Sequence, residues 1–98
     1  MGDGRSTMNF LAEWYLPDLA EETVDDLVAR VRAAAAVLSD EGASVRLVAT
    51  VSVPTDEVLY GVFDADSPEA VAAACERAGS PQQRLSADVV ARIVSGAA

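Results

Sequence analysis

The order in which two-residue and helical periodicities succeed one another constrains this chain more than any single residue does. Positions 8–16, MNFLAEWYL, gather aromatic and aliphatic side chains and stop at Pro17, which has no amide proton to give to a ladder, so a first strand is predicted there. Asp18 and Glu21 then have the spacing of a reciprocal helix cap. Val24, Leu27, Val28, Val31, Ala35 and Leu38 follow at helical spacing, and Gly42 supplies a left-handed stop, which predicts a helix of about five turns with one buried stripe.

Positions 45–53 alternate Val45, Leu47, Ala49, Val51 and Val53 against Arg46, Val48, Thr50 and Ser52, the pattern of a strand with one wholly apolar face. Pro54-Thr55-Asp56 turns the chain, and positions 58–64 return as an antiparallel partner. Ser67 as N-cap, Pro68 at the first helical position and Glu69 in the first turn open a second helix. Its face is Val71, Ala74, Cys75 and Ala78, and Gly79 with Pro81 closes it. The last segment, LSADVVARIV, reads either as a strand with Leu85, Ala87, Val89, Ala91 and Ile93 inward or as a helix capped at Ser86. Clean alternation and the need for a fourth strand favour the strand.

The resulting β-α-β-β-α-β order predicts an α+β, ferredoxin-like fold: a four-stranded antiparallel sheet with both helices on one face. Ninety-eight residues suffice for one core without disulfides or a structural metal. The polar, glycine-rich opening MGDGRST is predicted to be a disordered lead over 1–7, ahead of a single domain over 8–94 and a flexible tail over 95–98.

Composition excludes several functions. The chain carries 16 acidic residues against 7 basic ones, a formal charge of −9, which repels phosphate backbones and anionic lipid and argues against nucleic-acid and membrane partners. With no histidine, a Ser-His-Asp arrangement is impossible. The single cysteine, Cys75, and the absence of a signal-like opening make a reducing cytoplasm the expected compartment. Cys75 sits near a helix end, where the negative pole raises a thiol pKa, so it reads as a packed core thiol rather than a nucleophile. Asp64, Asp66 and Glu69 cluster at a helix start, where capping and dipole compensation account for them without a bound cation.

Two helices on one face leave the other face of the sheet bare. Val48 and Val90, with parts of Leu11 and Tyr15, keep that face mixed rather than polar, the composition of an association surface. A two-fold homodimer with opposed sheets is therefore expected, a monomer being the alternative. In the register assumed, Glu13, Tyr15, Arg46, Thr50, Ser52, Tyr60, Asp88 and Arg92 face the cavity between the sheets, and a one-residue slip would exchange the faces. Of these, Glu13, Tyr15, Arg46, Tyr60, Asp88 and Arg92 are the candidate ligand-binding residues.

Glu13, between Ala12 and Trp14, is the leading candidate, because a carboxylate in mid-strand needs solvent, a polar cavity or an arginine. Arg46 and Arg92 are the expected partners in an ion pair across the sheet. Acid or base chemistry is its other possible use. Tyr15 and Tyr60 could wall a site for a flat organic molecule, or simply pack across strands. Trp14 reads as core beneath the helices.

Tyr60 to Pro68, YGVFDADSP, and Glu76 to Pro81, ERAGSP, resemble the domain-of-unknown-function family 4242, the ferredoxin-like nickel-binding protein family, over Met8 to Val94. The resemblance implies β-α-β-β-α-β subunits paired into dimeric α+β barrels, some of which bind nickel through histidines. Family histidine positions correspond here to Cys75 and to the neighbourhood of Trp14 and Tyr15, so the resemblance carries no metal ligand onto this chain.

The function expected from the sequence is a small homodimeric binding or assembly protein, without metal or cofactor, whose inter-sheet cavity takes a small organic ligand. The alternatives are a cofactor-independent dimeric α+β-barrel enzyme using Glu13 as acid or base, and a divergent nickel- or other divalent-metal-binding protein using Cys75 and carboxylates.

Overall fold

A computed structural model describes residues 7–17, 19–90 and 92. The elements run β1 (Met8–Tyr15), α1 (Glu21–Asp40), β2 (Val45–Val53), a short 3₁₀ turn (Pro54–Asp56), β3 (Val58–Ala65), α2 (Pro68–Arg77) and β4 (Arg84–Ser86). The strands form one antiparallel sheet in the order β2-β3-β1-β4, and both helices pack on one side of it, which is the ferredoxin-like arrangement.

Alternation along β1 and β3 creates the core. Phe10, Ala12 and Trp14 from β1 and Leu59, Phe63 and Ala65 from β3 point toward the helices and are buried. Leu27, Val31, Ala34, Ala35 and Leu38 of α1 and Ala70, Val71, Ala74 and Cys75 of α2 close over them. The indole of Trp14 lies in this core and packs on the Phe63 ring at 6.3 Å between centroids. The indole N–H donates to Ser80 O at 2.7 Å, which satisfies the polar end of a buried ring and anchors the chain leaving α2.

Both helices stop as their glycines require. Gly42 has φ +103° and Gly79 φ +79°. Beyond them Ala43 N donates to Leu38 O at 2.9 Å and Ser80 N to Cys75 O at 3.0 Å, so carbonyls of each last turn are satisfied. Ser67 caps α2, its hydroxyl accepting from Ala70 N at 3.1 Å. At α1 the N-cap position is Ala20, with Glu21 and Glu22 in the first turn, so the helix does not start with Glu21 as the fourth member of a cap begun at Asp18. Asp18 lies outside the described residues, as do 1–6 of the expected lead, Ala91 and Ile93 of the expected last strand, and the 95–98 tail.

Two strands depart from the sequence reading. In β2 the register runs Leu47↔Phe63 and then Ala49↔Val62, so Val48 is an extra residue, a β-bulge. Past it the faces exchange: Thr50 pairs with Gly61 and Ser52 with Leu59 on the helix side, while Ala49, Val51 and Val53 turn to the open face. The expectation that Thr50 and Ser52 face an inter-sheet cavity is corrected accordingly, as is the idea of one wholly apolar face from Val45 to Val53.

Among the described residues the last segment is pleated over Arg84–Ser86 and is not coiled. Leu85 faces the core; then Asp88 adopts φ +57° and Val89 N donates to Asn9 O at 3.2 Å, one residue out of step with the ladder set by Leu11↔Ser86. Ala87 is exposed rather than inward, and among the described residues this strand covers three positions, Arg84–Ser86.

Candidate functional site on the open sheet face

With Phe10, Ala12 and Trp14 committed to the core, the other β1 side chains lie on the uncovered face, and antiparallel register fixes their neighbours. Asn9, Asp64 and Arg46 form one row across the strands. Leu11, Val62 and Ala49 form the next, with Ser86 beside Leu11. Glu13, Tyr60 and Val51 follow, flanked by Arg84, and Tyr15, Val58 and Val53 end the face. An apolar band therefore crosses the sheet between a charged row and a mixed one. Val51 is 55% exposed and Tyr15 49%, so substantial apolar surface remains in water.

The candidate residues divide between the two polar rows. Glu13, Tyr15 and Tyr60 come together: Tyr15 Oη donates to Glu13 Oε1 at 3.2 Å, and Tyr60 stands directly opposite Glu13. The cation beside Glu13 is Arg84, with Nε 3.7 Å from Oε2, in place of the expected Arg46 or Arg92. Hydrogen bonding to the Glu13 carboxylate is the main reason the Tyr15 phenol is held above its ordinary value of 10.0. Arg46 is at the other end of the face, where its Nη2 lies 3.2 Å from Asp64 Oδ2, while Asn9 Nδ2 donates to Asp64 Oδ1 at 3.0 Å. Asp88 and Arg92 are exposed, and neither has a side-chain partner among the described residues.

Sequence reasoning missed Arg84, Asn9 and Asp64 as members of this face. Arg84 lay one residue outside the assumed strand start, although its place opposite Glu13 follows once β4 begins there. The bulge left one trace, the apolar pair Leu47-Val48 breaking an otherwise strict alternation.

Away from this face, Cys75 is fully buried and burial pushes its thiol up to about 12. Among the described residues no three His, Cys, Asp or Glu side chains converge as a metal site would need, and no helix is long and apolar enough to cross a membrane. A concavity of about 830 Å³ wraps the β2 edge of the sheet, from α1 to Arg46, Ala49 and Asp64 at the margin of the open face.

No protein family, no curated protein and no solved structure matches the chain.

Proposed function

We propose that this protein is a self-associating assembly module, in which two copies oppose their open sheet faces to make a dimeric α+β barrel. The observation that carries the reading is the band of Leu11, Val62 and Ala49, with exposed Val51 beside it in the next row, on a sheet face that no helix covers. An apolar centre bordered by polar rows is the anatomy of a protein interface. The bulge at Val48 contributes directly, because it delivers Ala49, Val51 and Val53 to this face instead of the core.

Within such a dimer, the Tyr15, Glu13 and Tyr60 cluster would offer hydroxyl and carboxylate groups beside aromatic surface, suited to a small organic molecule held between the sheets. Binding fits this cluster better than acid–base chemistry does, since Glu13 already accepts from Tyr15 and faces Arg84. Kinship with family 4242 belongs to the same proposal; a homodimer is what that resemblance implies. The experiment that tests the reading is the mass of the native particle in solution, compared with that of a variant carrying a charge at Val51.

A further inference from the structure

β2 is an edge strand of nine residues, and an edge of that length normally carries some protection against pairing with another chain. Which of its backbone groups face outward follows from the hydrogen bonds of the sheet. Glu13 O and Asn9 O accept from Gln83 N and Val89 N on the β4 side, so the even residues of β1 bond to β3. Carried through the pairs Phe10↔Phe63 and Arg46↔Asp64, the alternation turns Val45, Leu47, Thr50 and Ser52 outward. Val45 confirms the phase, because its outward C=O accepts from the Ser39 hydroxyl at 3.1 Å and its outward N–H donates back to that oxygen at 3.4 Å. Ser39 thus seals one end of the edge. No hydrogen bond reaches the outward groups of Leu47, Thr50 or Ser52 among the described residues.

The concavity of about 830 Å³ runs along this edge as far as Thr50, with Ser52 just beyond its lining, and its volume falls within the range of about 300–1,000 Å³ typical of sites that accept ligands. Its far wall is α1, which presents Val28, Ala35 and Ala36 with Arg32 among them. Arg32 has alanine or valine three and four residues away on both sides, whereas Arg30 has Asp26 and pairs with it at 3.0 Å. Arg32 makes no ion pair or hydrogen bond among the described residues. The other charges in the lining are Arg46 and Asp64, already paired with each other, so the groove is locally basic in a chain of net charge −9.

We infer that the groove between α1 and β2 binds an extended, acidic peptide segment of a partner protein, which adds to the sheet as a fifth strand beside β2 and offers a carboxylate to Arg32. Backbone bonds to Leu47, Thr50 and Ser52 provide sequence-independent affinity, alternate apolar side chains pack on Val28, Ala35 and Ala36, and the guanidinium selects for acid.

The probe is a short fluorescein-labelled peptide of alternating valine and threonine with a central glutamate, followed by anisotropy. Saturable binding is expected, with Kd raised about five- to tenfold in Arg32→Ala and by a similar factor when lysine replaces the probe's glutamate. Thr50→Pro deletes an outward amide and should abolish binding. Because that variant could misfold, the same loss is required of the native protein when alternate probe amides are N-methylated on one set and not on the other. Hydrogen exchange should slow at Leu47, Thr50 and Ser52 when the acidic probe is added. Absence of saturable binding, equal affinity for the acidic and lysine probes, or indifference to N-methylation on both sets would overturn the inference. So would concentration-dependent protection of those amides without any peptide, which would assign the edge to a second copy of this chain.

Discussion

A Cβ atom on Gly61 would lie 2.7 Å from Cζ3 of Trp14 and 3.0 Å from Cη2, inside any tolerable contact. Gly61 is opposite Ala12 on β3, so the indole from Trp14 lies across the one position in the strand with no side chain to meet it. The ring on one strand and the gap on its neighbour are a single packing decision. Gly61→Ala must move a rigid, fully buried ring, and overpacking of that kind costs about 1–3 kcal/mol. Thermal unfolding should fall by roughly 4–8 °C for each kcal/mol in a domain of this size. An unchanged midpoint would mean that the indole is free to shift.

Cys75 gives a stability signature at high pH. Its thiol is pushed up to about 12 in the folded protein against an ordinary value of 9.0, so between these values the folded state holds a proton that the unfolded state releases. Stability then falls as pH rises from about 9, by up to about 1.4 kcal/mol per pH unit. Urea unfolding between pH 8.5 and 10 should show that slope, and Cys75→Ala should flatten it. The same burial makes modification by a disulfide reagent at pH 8 wait for unfolding, which stopped reactions in denaturant can confirm.

Glu13 and Arg84 should contribute little to stability, because Arg84 is 68% exposed and the 3.7 Å contact is loose. Arg84→Ala is expected to change the unfolding free energy by about 0–1 kcal/mol. A different readout isolates the carboxylate: Glu13→Gln should lower the Tyr15 titration toward 10.0, since the ionised acceptor that raises it is gone. Ultraviolet titration of tyrosinate in a Tyr60→Phe background follows that single phenol.

The architecture was legible because three of the four helix boundaries and most strand faces are written in local chemistry, the start of α1 at Ala20 being the exception. Ser67-Pro68, Gly42 and Gly79 act within a turn of their own positions, and the alternation of β1 and β3 survives intact into the structure. What could not be read was register. A bulge at Val48 exchanges the faces of Thr50, Val51 and Ser52, whereas the alternation of Leu47, Ala49, Val51 and Val53 favours an unbroken register, so periodicity alone points to the wrong phase past Val48. The end of the sheet was obscured for a related reason. Asp88 takes a left-handed conformation that an aspartate tolerates but does not announce, and the ladder breaks there although the alternation continues.

The candidate site was recovered in part for the same reasons. Glu13, Tyr15 and Tyr60 meet because β1 and β3 kept their predicted faces, while Arg46 is drawn to Asp64 at the far end and Arg84 takes the place expected of another arginine.

Sedimentation equilibrium of the native chain beside Val51→Glu bears most directly on the claim that the open face pairs with a second copy. The account expects the native protein to sediment at twice its 10.2 kDa chain mass and Val51→Glu, folded by circular dichroism, at the chain mass alone. A native protein that stays at the chain mass up to millimolar concentration, or a dimer indifferent to a charge at Val51, would contradict it.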